Sequence, residues 1–569
     1  TPAMSSPVRG RLAIQAATVA IASAIVLLVN LGGPPLWDED EPKNAGCSAA
    51  MLARSDWVVP TFNGALRPEK PPLANWIQIA GYRWFGVNET GARIGSAILT
   101  LVAAVLTAAT AARLFPHLPL VGLWSGLAMG TCAWANLPGS NSSSQASRAA
   151  ARSSSPSRIQ RRTVLPSAVA IGIACGAAML AKGPVGLVLP LAAFWLAAWW
   201  HECGSAAPVR HVAQRAVVAC RRLRPGTIVA AAVVVAGPWY ALVTWRTDGA
   251  WLREFLGVHN LARFAGPLEG HGGPWWYYLV VVSVGFFPWS IVAAVTAAHA
   301  IRGLRDPVAR PALAFVLAWL VVWVGAFSCA GTKLPGYIWP AYPALAIVTA
   351  VFLEHWRIAR PPSLERWMRV AWSILGVAGL GLGVALAAAA VAVARGEFWI
   401  GFIGLVPGAA AVLAWREQSR SRPGAAIGWL AAAATCTVAL LAAGAAGVIG
   451  RDTGVRPLVA RVVGEHGGTT PGVWASFRGT VPSLVFYSGA AARGAAVDML
   501  YKPEAAVEFV ATHPDALIVV PAAAVDDLLR ALPPGHGVIA RSRILSGYRE
   551  LCLVGRLSAP PLVAAATHE

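Results

Sequence analysis

The chain has 569 residues, a mean hydropathy of +0.58, 56% apolar and 13% charged residues, and 46 basic against 26 acidic side chains. Soluble proteins are about a quarter charged. Half that value, with repeated apolar runs near the ~20 residues that cross a bilayer, excludes a soluble multidomain enzyme and points to a polytopic α-helical membrane protein. The net charge of +20 falls in short links between apolar runs, as the positive-inside bias requires, and does not call for a nucleic-acid partner.

Arg9 and Arg11 precede the first apolar run, 12–31, and no small-residue cleavage site follows it. The run is therefore expected to be an uncleaved helix with its N-terminus in the cytoplasm. Residues 32–92 then form an external loop. Further spans are expected at 93–114, 118–135, 164–181, 183–200, 227–245, 275–298, 311–330, 336–353, 369–394, 398–415 and 425–449, about 12 to 13 in all. The links 201–226, 299–310, 354–368 and 416–424 are Arg-rich and expected to be cytoplasmic, which puts 182, 246–274, 331–335 and the tail outside. Crossings counted from the two ends disagree by one at the Ser/Arg-rich segment 136–163, where either a flexible loop with one neighbouring span half-inserted, or a span missing or scrambled by a frameshift, would account for the mismatch. Trp199, Trp200, Trp275, Trp276, Trp289 and Trp339 lie near segment ends, where indole favours the headgroup layer. The eight Cys form no CxxC pair and read as small buried hydrophobes. After residue 450 the pattern changes. GVWASF (472–477), ALIVV (516–520) and ELCLVG (550–555) read as strands, and 503–512 and 523–532 as helices. The expected division is a transmembrane domain over 1–449 and a soluble α/β domain over 450–569.

The charge that is present outside the basic links is informative. Asp40 stands in the acidic run Asp38 to Glu41, directly after the first span. Lys70, Lys182, Arg263 and Lys333 also fall on the expected outer face, where cations are less expected. Taken singly, each reads as well as a solvated or snorkelling side chain. Taken together, they suit a reaction on a phosphorylated lipid. Cations bind the phosphate and stabilise it as a leaving group. A carboxylate orients or deprotonates the acceptor.

Leu36, Trp37, Asp40 and Glu41 form an LW-x-x-DE signature, followed by SDWVVP (55–60), FNG (62–64) and EKPP (69–72). AKGPVGLVLP (181–190), PWY (238–240), HNLARF (259–264), PWWYYL (274–279), KLPGYIWPAYPAL (333–345) and VPSLVFYSG (481–489) follow in order. In that order they resemble the GT-C membrane glycosyltransferases of the protein O-mannosyltransferase and lipid A aminoarabinose transferase type, a family 39-like glycosyltransferase pattern. The likeness covers most of the chain; the last three spans match only in character.

The resemblance implies a GT-C fold in the bacterial inner membrane, with the active site and C-terminal domain extracytoplasmic. The implied reaction moves a sugar from a polyprenyl-phosphate donor to a lipid A-like or protein acceptor. Asp40 would be the catalytic carboxylate. Lys70 would bind donor phosphate with Arg263 and Lys333, Tyr337 would line the same site, and Lys182, Glu41 and Arg67 are further substrate-binding candidates. Glu69 and His259 could share a divalent metal, the alternative for Glu69 being a salt bridge. The sequence also departs from the pattern: Asn44 stands where Tyr is frequent, and Arg67 where an aromatic is. A second Asp, usual in the family between 118 and 164, has no counterpart in 136–163, which holds no Asp or Glu. Two rival readings stay open: a catalytically impaired relic of the family, and a transporter or flippase. The second would be expected to show ionisable residues inside spans and inverted repeats, and neither is seen.

Overall fold

The computed structural model describes residues 6–36, 40–133, 164–203, 212–267, 271–393, 397–451, 454–465, 473–479, 482–543 and 550–557. The chain divides into two compact units. One comprises Thr1–Gly33, Trp57–Val59 and Arg67–Ala446; the other comprises Pro34–Asp56, Pro60–Leu66 and Gly447–Glu569. Two stretches of the long external loop expected to accompany the transmembrane domain, Pro34–Asp56 and Pro60–Leu66, thus belong to the second unit. Asp38, Glu39 and the segment 136–163 lie outside the described residues.

The first unit is helical. Among the described residues, eight helices are long and apolar enough to cross a membrane: Gly10–Leu28, Glu89–Leu114, Pro225–Arg246, Arg310–Cys329, Pro335–Ala359, Pro362–Val391, Phe398–Ser419 and Pro423–Val448. Pro166–Lys182 and Val185–His201 are apolar but shorter. The chain is a multi-pass membrane protein with a polytopic α-helical fold. Two expected spans differ in form from a continuous helix. In the first, 118–135, the helix is Val121–Thr131, with residues from 134 onward outside the description. In the second, 275–298, Tyr277–Gly285 is followed by a 3₁₀ turn at Trp289–Val292 and then by Ala293–Gly303. Pro288 sits at that break, where its ring has no N–H to continue the helical ladder.

The helix Pro335–Ala359 runs through the middle of this unit and is 83% buried, against 17% for Pro362–Val391, whose Val377, Leu380 and Val384 face outward. Its Trp339, Tyr342, Phe352 and Trp356 belong to one large core with Trp289, Trp319 and Trp372. Glu354 is fully buried in this helix. Arg357 donates to both of its oxygens at 2.7 and 2.8 Å, and Leu120 N–H (2.9 Å) and the Trp124 indole (3.2 Å) complete its shell. A carboxylate survives such burial only when paired and hydrogen-bonded in this way.

The second unit is built on a five-stranded mixed sheet. Its order in space is Asp498–Leu500, Trp474–Phe477, Leu517–Pro521, Glu550–Arg556 and His536–Arg543. The first three strands are parallel, and the last two join antiparallel with an irregular register between Val538 and Ala540. Helices Pro503–Thr512 and Val525–Ala531 pack Ala506, Phe509 and Leu528 onto Phe477, Ile518 and Val520. The central strands read as continuous apolar runs because both faces are covered. The short strand Asp498–Leu500 and the polar edge strand His536–Arg543 carry no such signal and were not expected.

Candidate active site

In the second unit, Asp40 opens the helix Asp40–Ala53, with Glu41 beside it in the first turn. Carboxylates are favoured there by the unpaired amide ends and the positive end of the helix dipole. The Asp40 side chain is exposed, whereas Glu41 is buried together with Asn44. The helix is seated on the C-terminal part of the same unit. Gly46 lies where an added Cβ would meet Phe62 at 2.8 Å and Ala491 at 3.9 Å. The Tyr487 hydroxyl accepts the Leu36 N–H at 2.7 Å. A two-residue hairpin follows, with Thr61–Phe62 paired to Ala65–Leu66 through Asn63 (φ 51°) and Gly64 (φ 79°), the left-handed pair that a tight turn demands. The Asn63 side chain binds both backbone groups of Val497, at 2.9 and 2.7 Å.

In the first unit, the predicted cations are linked by a chain of contacts. Lys182 ends the helix Val164–Lys182, where a positive charge suits the helix carboxyl end. Its Nζ lies 4.7 Å from the centre of the Tyr337 ring, a cation–π geometry. Tyr337 is in the 3₁₀ turn Pro335–Ala341 and packs on Phe327. Four residues before it, Lys333 is buried. Its backbone N–H donates to His271 at 2.8 Å and its Nζ to the Ala330 carbonyl at 2.7 Å. Gly331 and Thr332 donate to the carbonyls of Phe264 and Arg263 at 2.9 and 3.1 Å, so the Arg263 segment is clipped to the Lys333 loop. Lys70 follows Arg67 and Glu69, which pair with each other at 3.0 Å. The Arg67 carbonyl accepts the Trp251 indole N–H at 3.2 Å.

The structure therefore brings Lys182 to Tyr337, Arg67 to Glu69, and Arg263 to the Lys333 loop. Glu69 and His259, the two metal-ligand candidates, each face a charged neighbour. Glu69 is engaged by Arg67, and His259 Nε2 is 3.9 Å from Glu254. Among the described residues, no group of three or more His, Cys, Asp or Glu is placed to hold a metal ion. An aromatic cluster goes beyond the sequence reading: Trp251, Phe255, Trp239 and Tyr240 pack together between the Arg67 and Lys182 segments. Trp239 and Tyr240 belong to the PWY motif (238–240), whereas Trp251 and Phe255 carry no sequence signal beyond their four-residue spacing after Gly249.

With this geometry in view, comparison with solved structures decides the architecture. ArnT from Cupriavidus metallidurans in the apo state superposes with a TM-score of 0.75, at 22% identity, over 96% of this chain and 98% of that one. The chain has the GT-C fold. The same ArnT bound to undecaprenyl phosphate matches this GT-C chain with a TM-score of 0.69 over 94% of the chain and 97% of ArnT. No family model matches. Among curated proteins, the undecaprenyl phosphate-alpha-4-amino-4-deoxy-L-arabinose arabinosyl transferase of Serratia proteamaculans is 30% identical over 355 residues, 59% of this chain and 58% of that protein. Its namesake in Pseudomonas paraeruginosa is 31% identical over 344 residues, 58% of this chain and 57% of that protein. The GT-C chain thus spans less than two thirds of the length of these relatives.

Proposed function

We propose that this chain is a membrane glycosyltransferase that moves a sugar from a polyprenyl-phosphate donor to a lipid A-like lipid, or to a protein, at the outer face of the bacterial inner membrane. The observation that carries this reading is the linked set of cations and aromatics from Lys182 and Tyr337 through Lys333 to Arg263. It is built on a fold whose solved counterpart, ArnT, has been captured with undecaprenyl phosphate. Clustered Lys and Arg side chains are the chemistry that a lipid monophosphate needs.

In this reading Lys70, Lys182, Arg263 and Lys333 hold the donor phosphate. The bond between the anomeric carbon and the phosphate oxygen breaks, and its electron pair leaves with polyprenyl phosphate, whose growing charge the cations stabilise. The acceptor oxygen forms the new bond from the opposite face, inverting the anomeric centre. A phosphate acceptor is already nucleophilic, so Asp40 orients it. A hydroxyl acceptor gives its proton to Asp40.

The test is turnover by the purified protein in nanodiscs, supplied with undecaprenyl-phosphate-linked aminoarabinose and lipid A. Release of undecaprenyl phosphate is expected, with loss of about a hundredfold in Asp40→Asn, on the order of what a misplaced acceptor costs. Equal turnover in the two proteins would remove Asp40 from the chemistry. A second reading, a chain that keeps the fold without turnover, is favoured by one feature, the absence of any Asp or Glu in 136–163. Wild-type protein that binds the donor but releases nothing from any donor and acceptor offered would support it. Mass spectrometry of envelope lipids and proteins in a deletion strain would name the acceptor.

A further inference from the structure

We propose that Trp251 is a positioning residue that holds the Lys70 loop and Lys182 in one register around a polyprenyl monophosphate. The proposal rests on the glycosyl-transfer reading and sharpens its phosphate subsite. Trp251 is completely buried in the seven-residue helix Ala250–Leu256, which is entered through Gly249 at φ 74°. A helix of two turns has no stability of its own in water and stands by its tertiary contacts.

Those contacts run in two directions. On one side, the indole N–H donates to the Arg67 carbonyl, and the Arg67 guanidinium pairs with Glu69, the residue directly before Lys70. The backbone leading to Lys70 is thus fixed by its carbonyl and by its neighbouring side chains. On the other side, the Trp251 ring stacks on Phe255 at 4.6 Å and 25° and meets Trp239 edge-on at 4.9 Å and 87°. Phe255 fills the place where a Cβ on Gly183 would lie, 2.4 Å from the ring, and Gly183 directly follows Lys182. Tyr240, also packed on both rings, donates its hydroxyl to the Met179 carbonyl in the last turn before Lys182. The same short helix runs on into the π-helical turn Gly257–Ala262 and so delivers His259 and Arg263. One indole therefore touches the strip before Lys70 and, through one ring, the turn after Lys182. A tryptophan that merely fills space, such as Trp372 with its bond to Gln418, links no two predicted site cations.

Binding of undecaprenyl phosphate to the full-length protein in nanodiscs reads this role without needing the sugar or the acceptor. Trp251→Phe keeps a ring and deletes the N–H, and is expected to weaken binding about fivefold, the worth of one hydrogen bond. In a Lys70→Gln background the same change is expected to cost less than about twofold, because the cation it positions is gone. Phe255→Leu, which leaves the indole bond in place, is expected to weaken binding in the wild-type background and not in Lys182→Gln. Trp372→Phe should lower the melting temperature with unchanged affinity. Equal binding by wild type and Trp251→Phe, or a full fivefold loss persisting in Lys70→Gln, would reduce Trp251 to ordinary packing. Wild-type protein that does not bind the probe at all would instead overturn the glycosyl-transfer reading, and the inference with it.

Discussion

At Gly183 the backbone takes φ +83°, and the Phe255 ring occupies the space of a side chain. Gly183→Ala is therefore expected to cost about 1–3 kcal/mol from strain alone and to weaken undecaprenyl phosphate binding by displacing Lys182; melting curves and binding isotherms check the two effects separately. Lys182→Gln, which stays polar and removes the charge, is expected to weaken the same binding about tenfold, the worth of one charge-assisted contact. In the sheet unit, burial raises the Cys552 thiol above its ordinary range, with Glu550 and Asp526 adding to the rise and Arg541 opposing it. A raised pKa leaves less thiolate at any pH below it, so maleimide at pH 8 should not modify Cys552 until the protein is denatured; mass spectrometry of the labelled peptides reads this. The cations could be found in the sequence because charge is scarce in this chain and each one outside the basic links stands out. Trp251 and Phe255 could not be, since they are two among 25 Trp and 16 Phe, and their role arises only from what they touch across the fold.

At the scale of elements, hydropathy locates helices well where lipid or core surrounds them on all sides, and poorly where backbone chemistry intervenes. The run 311–330 appears as Arg310–Cys329, but the run 275–298 is interrupted at Pro288, whose presence in the sequence already argued for a break. The turn Asn63–Gly64 was equally visible as a hairpin signal and passed as part of a motif. Helix Tyr342–Ala359 runs on past the expected end at 353 and carries Glu354 into the core, because Arg357, Leu120 and Trp124 satisfy its carboxylate. Glu354→Ala leaves Arg357 and two N–H donors without their acceptor and is expected to destabilise the membrane unit by about 3 kcal/mol. A thermal melt in detergent measures that loss. Recovery of stability in a Glu354→Ala, Arg357→Met double variant would attribute most of it to the stranded guanidinium.

On the scale of the whole molecule, the GT-C fold was legible because several motifs recur in a fixed order along the chain, and order survives divergence better than any single residue. What no hydropathy reading can supply is which chain segments fold together. The helix bearing Asp40 and the Asn63 hairpin pack with residues near 490, and Asn63 reaches Val497 across 434 positions of sequence. A fragment of 447–569 alone should therefore bind hydrophobic dye and precipitate, since the seat of that helix around Ala491 would be bare. Supplying 34–66 through a linker should restore a soluble, cooperatively melting unit.

That division of one folding unit between two distant stretches sets a timetable. The ribosome makes the Asp40 helix early, and its seat only after more than 400 further residues, including the membrane helices, have been threaded through the insertion machinery. Until then the carboxylate segment has nowhere to settle. A chain stalled or cleaved before residue 490 would hold its spans in the membrane without a seated Asp40. Half-made protein would thus be chemically silent, and synthesis past that point would itself act as the switch that seats the proposed catalytic carboxylate.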